Sequence, residues 1–239
     1  MNKPRVTLSV VMPVYNEEEC IAQVVKSWVS ALDALLDATA YRILVLNDGS
    51  QDGTQSALDA IDDDRVTVLH KENSGHGPTI LKGYRLVVSE STWVFQVDSD
   101  DEMRASDFDK LWSRRADADA VFGWRDGRVQ NFARKIISFV SRMAVRILFG
   151  SYSVKDVNTP FRLMRARELE QVIQHIPDNT FAPNVLISGG FSKGSRRVLN
   201  IAIPHHDRET GQVSIVKWGL WKAAIRSFFQ TIFYARYVG

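Results

Sequence analysis

Short apolar runs alternate along the chain with polar turns and longer amphipathic stretches, at the spacing of β-α-β repeats. Thr7 to Val14 (TLSVVMPV) carries no charge, as expected of a strand buried on both faces, with Pro13 near its end. Asn16 then suits the N-cap of a helix whose first turn would hold Glu17, Glu18 and Glu19 against the positive end of the dipole. That helix is expected to reach about Leu36. A second strand over Tyr41 to Leu46 leads into the turn Asn47-Asp48-Gly49-Ser50-Gln51-Asp52-Gly53-Thr54, which opens another helix. Val66 to Leu69, the glycine turn Gly75-His76-Gly77, a helix from about Thr79 to Val88 and a strand from Trp93 to Val97 continue the series. The alternation predicts right-handed crossovers and a mainly parallel sheet flanked by helices.

The strand ending at Val97 runs into Asp98-Ser99-Asp100-Asp101-Glu102, four acids within five positions. In open α/β sheets the ligand crevice lies beyond the carboxyl ends of the strands, where these carboxylates would project. Clustered acids repel, so the arrangement suits a hard divalent cation with oxygen ligands, Mg2+ or Mn2+. The plainer alternative is a solvated acidic turn ahead of a helix beginning near Ser106 and Asp107.

Composition narrows the class. A length of 239 residues suffices for one sizeable core, and the single cysteine, Cys20, excludes an intramolecular disulfide or a cysteine zinc cluster. No N-terminal stretch resembles a signal peptide, and no apolar run approaches the roughly 18 residues that span a bilayer. A cytoplasmic protein is expected. Charge is divided unevenly: residues 1–122 hold 12 Lys and Arg against 21 Asp and Glu, whereas residues 123–239 hold 18 against 7. The back half is therefore suited to an anionic partner such as lipid phosphate or a membrane surface. A nucleic-acid partner is disfavoured because no recognised reading module is present.

Two stretches of that basic half are amphipathic. About 133–149 places Ile136, Ile137, Val140, Met143, Ala144, Ile147 and Leu148 at helical spacing, with no acid between Asp126 and Asp156. The segment 213–236 carries Trp218, Trp221, Ile225, Phe228, Phe229, Ile232 and Phe233 beside Lys217, Lys222, Arg226 and Arg236. Core helices with cations at their edges are one reading; helices lying on a membrane surface fit the aromatic content and the missing acids better. The expected division is a main domain over 1–212 and a C-terminal basic amphipathic helix over 213–239.

Pro13-Val14-Tyr15-Asn16-Glu17, the Asn47 to Thr54 turn and Asp98-Ser99-Asp100, each after a predicted strand, together resemble family 2 glycosyltransferases of the GT-A fold. Four later segments resemble the polyprenyl-phosphate, dolichyl-phosphate-type branch. These are Gly123-Trp124-Arg125, Arg134 followed by Ser138, Asp156 to Arg162, and Arg208-Glu209-Thr210-Gly211-Gln212-Val213-Ser214. The resemblance covers about residues 7–215. It implies an α/β GT-A domain and an inverting, metal-dependent transfer from a nucleoside-diphosphate sugar to a polyprenyl phosphate, at the cytoplasmic membrane face.

The same resemblance implies that Pro13, Tyr15 and Glu17 line the base and ribose, that Asp48 bonds the base, and that Asp98 and Asp100 hold the metal. Glu102 stands where relatives often have a glutamine that helps hold it. Read as residues alone, Asp48 could be a turn-forming Asx residue and Glu17 a helix-dipole partner. Arg125, Arg128 and Arg134 are candidates for gripping an acceptor phosphate, since guanidinium forks match phosphate oxygens; the alternative is a solvated basic face. Asp156 and Arg162 would border the acceptor site, although Pro160 replaces the family's glycine. Arg208 and Ser214 resemble a loop that covers the donor diphosphate. His76 stands where relatives often carry lysine and is not expected to be catalytic, and His205, His206 and Asp207 have no metal-ligand spacing.

Other functions stay open at this level. A family 2 transferase acting on a glycan hydroxyl would need a base, Asp156 or Asp101. A sugar nucleotidyltransferase would carry a glycine-rich basic signature near the N-terminus, absent here, and a non-catalytic membrane adaptor would not bind nucleotide with metal.

Overall fold

The computed structural model describes residues 6–126, 143, 145–150, 153–193, 196–204, 206, 230, 232–235 and 237. A seven-stranded sheet forms its centre: β1 (Val6–Val14), β2 (Tyr41–Asp48), β3 (Val66–Lys71), β4 (Ser91–Gln96), β5 (Ala120–Asp126), β6 (Arg162–Arg165) and β7 (Val198–Pro204). Across the sheet the order is β3-β2-β1-β4-β6-β5-β7. Among the described residues the helices that flank it include α1 (Ile21–Asp33), α2 (Thr54–Asp59), α3 (His76–Val87), α4 (Phe108–Trp112), α5 (Ala166–Ile173) and α6 (Pro183–Ser192).

The apolar strand runs are continuous because both sheet faces are covered. Val10 and Met12 pack with Ile43, Val45 and Phe95 against α1, α2 and α4. Val11, Leu44, Leu46 and Val94 point the other way, toward α3, α5 and α6. On the first face Trp28, Phe95, Phe108 and Phe161 form an aromatic cluster, with Phe95 4.7 Å from Phe108 and 4.8 Å from Phe161 in edge-on geometry.

The expected parallel sheet holds for β1 with β2 and β4, β2 with β3, and β5 with β7. The four-residue β6 runs antiparallel between β4 and β5. The first helix also differs from expectation: it begins at Ile21 with Cys20 as N-cap, and no acid lies in its first turn. Asn16, at φ 54°, instead turns the chain ahead of the helix.

Among the described residues no helix is long and apolar enough to cross a membrane. Most of the 133–149 stretch, and nearly all of 213–239, lie outside the described residues. At 145–149 the chain is helical, with Val145 and Phe149 buried in the same core as α5, α6 and Ala235.

Candidate active site

The chain passes outward from β1 through β2 to β3, then returns by α3 to β4 on the other side of β1. This reversal makes a topological switch point between β1 and β4, and the crevice beyond their carboxyl ends is where an open α/β sheet takes its ligand. The three motif loops, after β1, β2 and β4, all leave from that edge.

The first two loops are locked together by reciprocal hydrogen bonds. The Asn16 amide donates to Ser50 Oγ at 3.0 Å, and Asn16 Oδ1 accepts from the Gln51 amide at 2.8 Å. The Glu17 amide donates to Thr54 Oγ1 at 2.8 Å, and the Gly53 amide to Glu18 Oε2 at 2.6 Å. A Cβ on Gly53 would sit 2.6 Å from that Glu18 oxygen, so a larger residue there would displace the Glu18 carboxylate. Glu17 is buried, with Cys20 Sγ 3.4 Å from its Oε2. Pro13 is buried within β1, paired in register with Leu46, and Tyr15 is half-buried just beyond the strand.

Asp48 closes β2 inside a cradle of donors. Its carboxylate accepts the Ser74 and Gly75 amides at 2.9 and 3.0 Å and pairs with Lys71. Lys71 Nζ also reaches the Glu72 carbonyl at 2.6 Å, Ser74 Oγ at 2.8 Å and Thr79 Oγ1 at 3.2 Å. Lys71 escaped the sequence reading because only the β2–β3 register sets it opposite Asp48.

Asp98 and Asp100 follow β4. Burial raises the Asp98 carboxyl's pKa, as does Asp100, while His76 and Arg125 oppose the rise. His76 Nε2 stands 3.5 Å from Asp98 Oδ1, so the start of α3 reaches the acidic loop. Asp100 Oδ1 accepts the Glu102 amide at 3.3 Å, and Asp101 adopts φ 55°. Such left-handed backbone in a non-glycine residue is uncommon, and it occurs here in two loops of the crevice, at Asn16 and Asp101. Among the described residues no group of three or more His, Cys, Asp or Glu side chains is placed to hold a metal ion by itself.

Beneath Asp98 lies a polar layer that hydropathy could not reveal. Gln96, fully buried on β4, donates Nε2 to Asp98 Oδ1 at 3.1 Å. Its Oε1 accepts Tyr84 Oη at 3.0 Å and Asn184 Nδ2 at 2.9 Å.

On the far side, Arg125 at the end of β5 pairs with Asp156, its Nε and Nη2 both 2.9 Å from Oδ2. The structure thus brings these two sequence-predicted residues together as an ion pair. Arg162 is placed differently: it is wholly buried at the start of β6. Its guanidinium donates to the carbonyls of Thr159 at 2.8 Å, Asn184 at 3.2 Å and Val157 at 3.4 Å, and stacks over Phe122 at 4.8 Å. Burial lowers its pKa to about 10. An arginine enclosed by backbone carbonyls is structural, so its expected place at an acceptor-facing surface is corrected. Arg128, Arg134, Arg208 and Ser214 lie outside the described residues. The chain leading to the last two does meet the site, where the His206 amide donates to the Glu102 carbonyl at 3.0 Å.

The sequence model described as "Glycosyl transferase family 2" matches residues 9–173, which span all three motif loops and the Asp156–Arg162 segment. The chain belongs to glycosyl transferase family 2. Within the family it is similar to the undecaprenyl-phosphate 4-deoxy-4-formamido-L-arabinose transferase of Yersinia pestis (strain Pestoides F), 26% identical over 216 residues, covering 88% of this chain and 63% of that protein. The enzyme of the same name from Sodalis glossinidius (strain morsitans) is 28% identical over 209 residues, covering 85% and 61%. The chain thus spans a little under two thirds of the length of these curated relatives.

Solved structures agree on the fold. Mycobacterium tuberculosis glucosyl-3-phosphoglycerate synthase, crystallised with Mn2+, uridine diphosphate and phosphoglyceric acid, superposes with a TM-score of 0.68 at 18% identity, covering 96% of this chain and 78% of that one. Residues 1–349 of S. aureus TarS with UDP-GlcNAc superpose with a TM-score of 0.62 at 16% identity, covering 91% and 64%. The architecture is that of GT-A glycosyltransferases.

Proposed function

We propose that this chain is an inverting glycosyltransferase, moving a sugar from a nucleoside diphosphate to a polyprenyl phosphate at the cytoplasmic face of a membrane. The observation that carries the reading is the convergence of three motif loops on one crevice at the β1–β4 switch point. The acceptor is read from the names of the curated relatives, undecaprenyl-phosphate sugar transferases, together with the basic back half of the chain.

Pro13, Tyr15 and Glu17 line the base and ribose, and Asp48 meets the base from its cradle. Asp98 and Asp100, with Glu102 beside them, would hold Mg2+ or Mn2+. Their oxygen donors fit such a cation, and Asp98 and Asp100 are only partly buried at the open end of β4. Cations of this kind are commonly held by one or two carboxylates plus substrate phosphates, so a closed protein cage is not required. When bound, the cation offsets the charge that develops on the departing diphosphate. Structural neighbours crystallised with Mn2+ and uridine diphosphate support this choice.

Arg125 is steadied by Asp156, and two of its five N–H donors face that carboxylate, leaving others for an acceptor phosphate. Arg128 and Arg134 extend the grip, and Arg208 and Ser214 cover the donor. A phosphate acceptor is largely ionised near neutral pH, so attack on the anomeric carbon needs no strong general base. Asp100→Ala should lower turnover by roughly 10²-fold or more, the scale of losing an electrostatic stabiliser. Steady-state transfer with labelled donor measures it; near wild-type turnover would remove Asp100 from the mechanism.

A further inference from the structure

We infer that Gln96 is a positioning residue for the donor site, fixing the Asp98 carboxylate through a buried polar relay that begins at Tyr84 and Asn184. The inference rests on the assignment of Asp98 to the metal–diphosphate site and adds to it a residue that touches neither ligand.

A glutamine amide presents an oxygen on one side and an NH2 on the other, and it holds a carboxylate only when the NH2 is turned toward it. Here the turn is dictated from behind. Gln96 Oε1 accepts two donors, Tyr84 Oη at 3.0 Å and Asn184 Nδ2 at 2.9 Å. The NH2 group is thereby aimed outward, and Nε2 meets Asp98 Oδ1 at 3.1 Å. Asn184 is anchored in turn: its carbonyl accepts Arg162 Nη1 at 3.2 Å, and Arg162 also donates to the carbonyls of Thr159 and Val157. Gln96, Tyr84 and Arg162 are 0% exposed, and Asn184 is 4% exposed.

The relay thus ties three elements, α3, α6 and β6, to one carboxylate oxygen at the mouth of β4. Buried hydrogen-bond networks with every partner engaged hold a single geometry, which a metal-coordinating carboxylate needs. The neighbouring Val97 side chain points into the opposite core, so the strand's alternation sets Gln96 on the face of α3 and α6.

The test is Mn2+ binding in the presence of uridine diphosphate, read by the electron paramagnetic resonance of free Mn2+, for Gln96→Met, Asp98→Asn and the double variant. Methionine keeps the length and bulk of glutamine without its amide. Gln96→Met should weaken Mn2+ binding about tenfold, the second-shell scale, with unaltered affinity for metal-free uridine diphosphate. It should have no further effect once Asp98 is Asn, because it acts through that carboxylate. If Asp98→Asn weakens binding but Gln96→Met does not, or if the two losses simply multiply, the positioning role is overturned. If Asp98→Asn itself leaves Mn2+ binding unchanged, the metal-site assignment falls and the relay's role with it. Tyr84→Phe removes one donor from Gln96 Oε1 and should shift Mn2+ affinity in the same direction by a smaller factor. An unchanged affinity in a folded Tyr84→Phe protein would contradict the relay even if Gln96→Met did not fold.

Discussion

Asp52 accepts three donors, two from Thr54 in its own loop and one, the Glu18 amide, that ties it to the first motif loop. It accepts the Thr54 amide at 3.0 Å and hydroxyl at 2.5 Å, and the Glu18 amide at 3.3 Å. Burial alone would raise its carboxyl, but these hydrogen bonds, the Thr54 hydroxyl foremost, outweigh it and hold the pKa below the usual aspartate value. A folded-state pKa that is depressed contributes stability above the unfolded value, about 3.9, and loses it as pH falls through the folded value. Asp52→Asn should therefore be less stable than wild type near pH 6, with the gap closing as acid approaches pH 2, on the order of full protonation. Urea midpoints across that range measure it, and a gap that does not change with pH would contradict the assignment. At this scale the sequence was legible where a residue's surroundings are local: the Asn47 to Thr54 turn is one. It was not where partners come from distant elements. Arg162 was expected to border the acceptor site because the carbonyls that enclose it, those of Val157, Thr159 and Asn184, are not visible in its local sequence, and nothing beside Gln96 in the strand marks its buried partners.

The elements through β4 followed from their apolar runs, whereas β6, β7, α5 and α6 were not anticipated, and the departures have physical causes. The α1 start moved from Asn16 to Ile21 because Asn16 and Glu17 are engaged with Ser50, Gln51 and Thr54, partners 34 to 37 residues away. The reversal at β6 was hidden because four residues carry too little pattern to reveal direction, and pairing with β4 and β5 decides it. Helix α3 shows how tightly the layers meet. A Cβ on Gly83 would lie 2.5 Å from Val11 Cγ1 and 2.9 Å from Leu46 Cδ1, side chains of β1 and β2. Glycine to alanine within an exposed helix stabilises by about 0.5–1 kcal/mol. Gly83→Ala should reverse that sign and cost about 1–3 kcal/mol, the range of core overpacking, measured by chemical denaturation. A stabilised variant would mean that the helix does not press on the sheet there.

Across the whole molecule the acidic half supplies the three motif loops of the crevice, and the basic half holds Arg125 and the two amphipathic stretches. Ile147, 73% exposed, and Phe233, 54% exposed, belong to those stretches, and their neighbours Phe149 and Ala235 are buried in one common core. Exposed apolar side chains beside lysine and arginine suit the headgroup region of an anionic bilayer. The protein should co-sediment with vesicles containing anionic lipid at low ionic strength and be released as salt shortens the screening length. Absence of binding at low salt would contradict peripheral attachment. The three motif loops were the more legible from sequence, since they sit at strand ends, whereas the Arg125–Asp156 pair joins β5 to a segment 31 residues on. The most direct measurement is therefore transfer itself, with labelled nucleotide sugars, polyprenyl phosphate and Mg2+ or Mn2+. Label should pass into organic solvent and should fail to do so with EDTA. Nucleotide-sugar binding without any lipid-phase label, together with transfer to a water-soluble glycan, would contradict the polyprenyl-phosphate acceptor.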